Sequence, residues 1–187
     1  DESGGILALG TGSTEDDNAV LRSGPFAPRD GKMVVRARFK YSNVSCAVFV
    51  GFAETLADFY EEPARIEQLI DLLLEWKLAQ FAELHRRFGD RVHGLFLTDD
   101  WGTQQAPIIG PELFRRFFLE RYRALVEAVH GYGWRLILHS CGRVNDLVPS
   151  FVEIGVDCLN MQQPRCYGIE ELGRRFAGQV AFLTTSD

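Results

Sequence analysis

Trp134-Arg135-Leu136-Ile137-Leu138-His139-Ser140-Cys141-Gly142 joins a short apolar run to a pair of metal-binding residue types. The run reads as a buried β-strand. Side chains at i and i+2 of a strand point to one side, so His139 and Cys141 face the same way at its C-terminal end. An imidazole and a thiolate so placed are two ready ligands for zinc. In a barrel of parallel strands, that end is also where active sites form.

The flanking sequence repeats the pattern of helix then strand. Pro63 suits the first turn of a helix, and Ile66, Leu69, Ile70, Leu73 and Leu74 follow as an apolar stripe at helical spacing. Gly89-Asp90 ends that region, and Val92 to Leu97 is a strand. The loop Thr98-Asp99-Asp100-Trp101-Gly102-Thr103-Gln104-Gln105 comes next. Pro111 opens a second helix, with Leu113, Phe114, Phe117, Phe118, Tyr122, Leu125, Val126 and Val129 on one face. Gly131 and Gly133 end it. Beyond the strand at 134–139 the pattern predicts a helix near 144–154, a strand near 156–160, a helix near 168–176 and a strand near 179–183. Such units imply right-handed βα connections and a parallel sheet. Four strands of this kind make about half of an eight-stranded barrel.

Residues 1–55 have a different texture, rich in Gly, Ser and Asp. Residues 6–9 and 18–22, the alternating Lys32 to Phe39, and the apolar run Cys46 to Phe52 all read as short strands, arranged as an antiparallel meander. The fold class is therefore α/β: a parallel sheet over 56–187 whose pattern fits a partial (β/α) TIM barrel and a small open sheet alike, preceded by a short antiparallel β-rich segment over 1–55. Hydrophobic residues at 46% and charged residues at 25% describe an ordinary globular chain. A net charge of −6, with no dominant Lys/Arg cluster, argues against a nucleic-acid-binding face. The apolar runs fall far short of a membrane span, and the N-terminus lacks a signal-peptide pattern, which points to the cytoplasm. Cys46, Cys141, Cys158 and Cys166 have no disulfide-framework spacing and read as reduced thiols.

Three stretches together resemble the uroporphyrinogen decarboxylase superfamily, over about residues 56–187. The first is Asp58-Phe59-Tyr60-Glu61-Glu62-Pro63. The second is Thr98 through Gln105 with Gly110-Pro111-Glu112-Leu113-Phe114. The third is Leu138-His139-Ser140-Cys141-Gly142 with Ile154-Gly155-Val156-Asp157-Cys158-Leu159-Asn160 and Gln163-Pro164. The resemblance implies a TIM barrel and one of two chemistries. Corrinoid-linked methyltransferases of this superfamily bind zinc through His-x-Cys plus a later Cys and activate a thiol. His139 and Cys141 match the first two ligands, and the later Cys is expected beyond Asp187. The corrinoid methyl donor would sit on a partner protein, and the substrate is a small molecule. The other chemistry is metal-free decarboxylation of porphyrinogen acetates, which needs Arg residues gripping carboxylates. A non-catalytic fragment or fusion, with residues 1–55 as a β-rich binding module, is a third reading.

Zinc held by His139 and Cys141 lowers the pKa of a bound thiol, giving a thiolate at neutral pH. The bland reading is a buried His beside a small apolar Cys. Cys166 is an alternative third ligand, whereas Cys158 reads as core. Asp99 and Asp100 are expected to be catalytic, with only one of these neighbours able to face the barrel centre; loop capping is the alternative. Gln104, Asn160 and Gln163 are candidate substrate contacts. Trp101 is expected to pack beneath its loop, and His130 to sit at a helix C-terminus.

Overall fold

A computed structural model describes residues 6–10, 18–22, 36–38 and 51–185. It resolves into two compact units, Asp1–Leu72 and Leu73–Asp187.

In the first unit, β1 (Ile6–Gly10), β2 (Asn18–Arg22) and β3 (Arg36–Arg38) form a sheet of order β2-β1-β3. β1 pairs antiparallel with β2 but parallel with β3. The expected meander is therefore a mixed sheet, because β3 lies on the far side of β1 instead of following β2. Of the expected strand at Cys46 to Phe52, residues 46–50 lie outside the described residues. Gly51 and Phe52 instead begin helix α1 (Phe52–Glu61), and the Thr55 hydroxyl donates back to the Gly51 carbonyl at 2.6 Å. Glu62 interrupts the helix, and Pro63, which has no N–H to lose, opens α2 (Pro63–Phe88). Ile66, Leu69, Ile70 and Leu73 of the expected stripe are buried, and the stripe runs on to Phe81.

The second unit is built on β4 (Gly94–Thr98), β5 (Arg135–His139), β6 (Cys158–Met161) and β7 (Ala181–Thr184). They form a parallel sheet in chain order. Helices fill the crossovers: α3 (Pro111–Phe114), a π-helical segment Arg115–Leu119, α4 (Glu120–Gly131), α5 (Val148–Glu153), α6 (Pro164–Tyr167) and α7 (Ile169–Phe176). This succession of parallel βα units is that of a partial TIM barrel.

The sheet has two unlike faces. Leu136, Leu138, Leu159 and Met161 lie at 0–3% exposure among Phe114, Phe117, Val126, Val129, Phe151 and Leu172. The opposite face carries Phe96, Ile137, His139, Cys158, Asn160 and Leu183, aligned by the register Phe96↔Ile137↔Cys158 and His139↔Asn160↔Leu183. This second face corresponds to a barrel's interior, and His139 stands at its C-terminal edge.

Asp157 ties the N-terminal edge of the sheet to the helix layer. Its carboxylate accepts from the Leu136 N–H at 2.8 Å, Arg135 at 3.0 Å and His130 Nε2 at 2.7 Å. Burial pushes its pKa up, but these partners outweigh burial and hold it below the ordinary carboxylate value. His130, expected at a helix C-terminus, is therefore also the link between α4 and β6.

Candidate metal centre

The C-terminal ends of β4 and β5 approach each other through their backbones. An added Cβ on Gly102 would lie 2.7 Å from the Cys141 carbonyl oxygen, and one on Gly142 would lie 2.4 Å from Gly102. Gly142 also has φ +76, in the left-handed region. Only glycine fits at either position. Four hydrogen bonds then lock the loops: Trp101 N–H to Ser140 Oγ (3.0 Å), Arg143 N–H to the Thr103 carbonyl (2.7 Å), Asp99 N–H to the His139 carbonyl (3.0 Å), and Cys141 N–H to Asp100 Oδ1 (2.9 Å). Beyond the contact, Thr103 and Ala106 close residues 101–108 into a small hairpin, with Ile108 N–H donating to the Trp101 carbonyl at 2.7 Å.

This clamp separates the two expected catalytic acids. Asp100 turns toward His139 and Cys141. Asp99 turns the other way, where its Oδ2 takes Lys77 Nζ at 3.3 Å and a short hydrogen bond from the Tyr122 hydroxyl. Trp101 Nε1 donates to the same hydroxyl at 3.1 Å, and its ring packs edge-on against Phe114 and Phe118. Asp99, the other expected catalytic acid, is thus anchored beneath the loop on the side away from His139 and Cys141, because Lys77 and Tyr122 hold it there. Trp101 packs as expected.

His139 Nε2 lies 3.3 Å from Cys141 Sγ and 3.6 Å from Asp100 Oδ1. Among the described residues, these three side chains form the one group whose donor atoms could jointly hold a metal, all within 4.8 Å of one another. The protonation of His139 follows from its other nitrogen. Asn160 Nδ2 donates to the Leu183 carbonyl at 3.2 Å, so its Oδ1 faces His139 Nδ1 at 2.6 Å. An amide oxygen only accepts, so Nδ1 carries a proton, and in the neutral ring Nε2 presents the lone pair. Gln162 braces the same oxygen at 3.0 Å. Asn160, expected as a substrate contact, is buried and commits both ends of its amide to protein; it aims His139 instead.

Burial, and after it the Asp100 carboxylate, push the Cys141 thiol above its ordinary pKa. A thiol, a carboxylate and an imidazole nitrogen grouped this closely offer the sulfur, oxygen and nitrogen donor types of a zinc site. The 3.3 Å between Nε2 and Sγ also suits two donors on one tetrahedral zinc, spaced about 3.5 Å apart for bonds near 2.0 and 2.3 Å.

Gln163 Oε1 accepts from the Gly142 N–H at 3.0 Å and from Gln104 Nε2 at 3.2 Å. Both residues, with Gln162, Pro164, Arg165 and Cys166, line a cleft of about 460 Å³ beside the Cys141–Gly142 peptide. Cys166 Sγ donates to the Gln104 carbonyl at 3.4 Å and is not in the donor group. Cys158 is half-buried on the interior face instead of in the core between sheet and helices. Sequence reasoning missed Ser140 and Gln162, whose roles come from contacts distant along the chain.

The sequence profile of the uroporphyrinogen decarboxylase (URO-D) family matches residues 44–169, more than half of the chain. The chain belongs to this family. No curated protein matches the chain. Among solved structures, a methyltransferase from Methanosarcina mazei superposes with a TM-score of 0.58 at 14% identity. The alignment covers 73% of this chain and 38% of that one, so the URO-D-family chain described here spans well under half the length of that structure. At this identity the likeness concerns the fold, and it supports the partial barrel.

Proposed function

We propose that this URO-D-family chain carries the zinc-binding part of a methyltransferase acting between a corrinoid on a partner protein and a small thiol. The observation that carries the reading is the preset imidazole: Asn160 fixes the Nδ1 proton, leaving Nε2 free to ligate beside Cys141 Sγ. His139 and Cys141 would hold the ion. Bound there, zinc would supply a Lewis acid that keeps an acceptor thiol as its thiolate at neutral pH. The cleft of Gln104 and Gln163 would take the body of the acceptor, whose polar groups the side-chain amides can match. Such thiol chemistry fits a reducing cytoplasm, and the described cysteines are free. Among the described residues no helix is long and apolar enough to cross a membrane.

A second reading is metal-free decarboxylation of porphyrinogen acetates. It is favoured by Arg165, which lines the cleft just past the end of β6.

The test is metal content. Purified protein is expected to hold one zinc per chain by mass spectrometry, and Cys141→Ser to lose it. A wild-type chain that binds no zinc from a buffered zinc solution, yet turns over a porphyrinogen, overturns the methyltransferase reading in favour of decarboxylation.

A further inference from the structure

We infer that Asp100 is a third protein ligand of the metal, so that this chain supplies a His/Cys/Asp donor set. The inference rests on the zinc reading above and adds a ligand that neither the His-x-Cys pair nor the expected later Cys supplies.

Three observations converge on Asp100. Its Oδ1 lies 3.6 Å from His139 Nε2, and Nε2 lies 3.3 Å from Cys141 Sγ. A tetrahedral zinc with bonds of about 2.0–2.3 Å spaces such donors roughly 3.3–3.6 Å apart. Both spacings are those of donors sharing one ion, and all three donor atoms lie within 4.8 Å of one another. Second, the carboxylate is held in place. Its Oδ1 accepts the Cys141 N–H at 2.9 Å, and its backbone is clamped by the Gly102–Gly142 contact. A ligand whose position is set by main chain loses little freedom on binding. Third, among the described residues Asp100 has no Lys or Arg partner of the kind that Lys77 gives Asp99; its near neighbour is His139 Nε2. The two adjacent acids are thus treated differently: one is paired with protein, the other is left facing the two expected metal donors.

A carboxylate is a harder donor than a second thiolate. The set would accept Co²⁺ readily, which makes the ligands visible.

The experiment uses the full chain in four forms: wild type, Asp100→Asn, Asp100→Cys and Cys141→Ser. Zinc affinity is measured by competition with a chromophoric chelator, and the Co²⁺ form by visible and near-ultraviolet absorption. Asp100→Asn keeps an oxygen to accept the Cys141 N–H, so the loop clamp is retained and near-ultraviolet circular dichroism should match wild type. It is expected to weaken zinc binding by about 100-fold or more, beyond the effect of losing a supporting hydrogen bond. Asp100→Cys is expected to restore binding and to roughly double the sulfur-to-cobalt charge-transfer intensity, because a second thiolate joins Cys141. Zinc affinity and Co²⁺ bands unchanged in Asp100→Asn, with both lost in Cys141→Ser, would overturn the ligand assignment alone and leave the zinc reading intact. Absence of metal from wild type would overturn both.

Discussion

Asn160 controls His139 with a single amide. Its Nδ2 is anchored on the Leu183 carbonyl, so its oxygen must face the imidazole. Outer partners of this kind typically contribute 10- to 100-fold to metal affinity. Asn160→Ala is accordingly expected to weaken zinc binding by about 10- to 100-fold, read by chelator competition, with little change in stoichiometry at saturating zinc. The sequence placed His139 and Cys141 on one side of a strand because period-two alternation is a property of the backbone. It could not say which of Asp99 and Asp100 faces them. Both lie past the last paired residue of β4, where alternation no longer fixes direction. The choice is made by Lys77 and Tyr122 on one side and by the Cys141 N–H on the other, contacts that join residues 22 to 41 positions apart.

The loop clamp between β4 and β5 is the element on which the site depends. Gly102→Ala would push a methyl group into the Cys141 and Gly142 backbone. The expected cost is about 1–3 kcal/mol, typical of overpacking, together with reduced zinc occupancy; chemical denaturation and metal analysis would show both. The β6 edge offers a separate test. Asp157 has a folded-state pKa below its unfolded one, so its contribution is fully present above the unfolded carboxylate pKa of about 3.9 and is lost as pH falls through the folded value. Asp157→Asn is expected to lower stability at pH 7 by about 1–2 kcal/mol. The gap to wild type should close on acidification through that window, as thermal melts across pH would reveal. Helices and parallel strands were legible as elements because their apolar spacing and Gly/Pro punctuation are local. The π-helical segment was not. Phe117, Phe118 and Leu119 are buried in succession there, and a three-residue buried run fits no regular helical face. Nor was the parallel pairing of β3 with β1, since strand order depends on a crossover that propensity does not encode.

At the scale of the second unit, one face of the β4–β7 sheet is sealed by helices and the other is lined by Phe96 and Leu183 at 52% and 48% exposure. Both outer strands, β4 and β7, present unpaired edges among the described residues. An apolar face bounded by open edges favours self-association. Leu183→Lys puts a charge on the edge strand and is expected to shift the chain toward smaller species in sedimentation velocity, without loss of zinc, since its contribution to Asn160 is a main-chain carbonyl. That the strands pair in parallel and in chain order was readable from the repeated βα pattern, whereas the barrel itself was implied only by the family resemblance. How much of the barrel interior the apolar residues would line was not readable, because a period-two strand looks the same whether its second face is filled or open.

The hydrogen bond from the residue-141 amide to Asp100 has a consequence for how such a centre can change its chemistry. The acid is gripped by a peptide group, not by the cysteine's side chain. Residue 141 can therefore be exchanged for another donor while the acid stays in place, because every residue except proline brings the same amide. Chemical identity at that position is uncoupled from geometry. A library confined to position 141 would sample metal preference on a fixed frame, from thiolate to imidazole to carboxylate, with the cost in folding spread nearly evenly over its members.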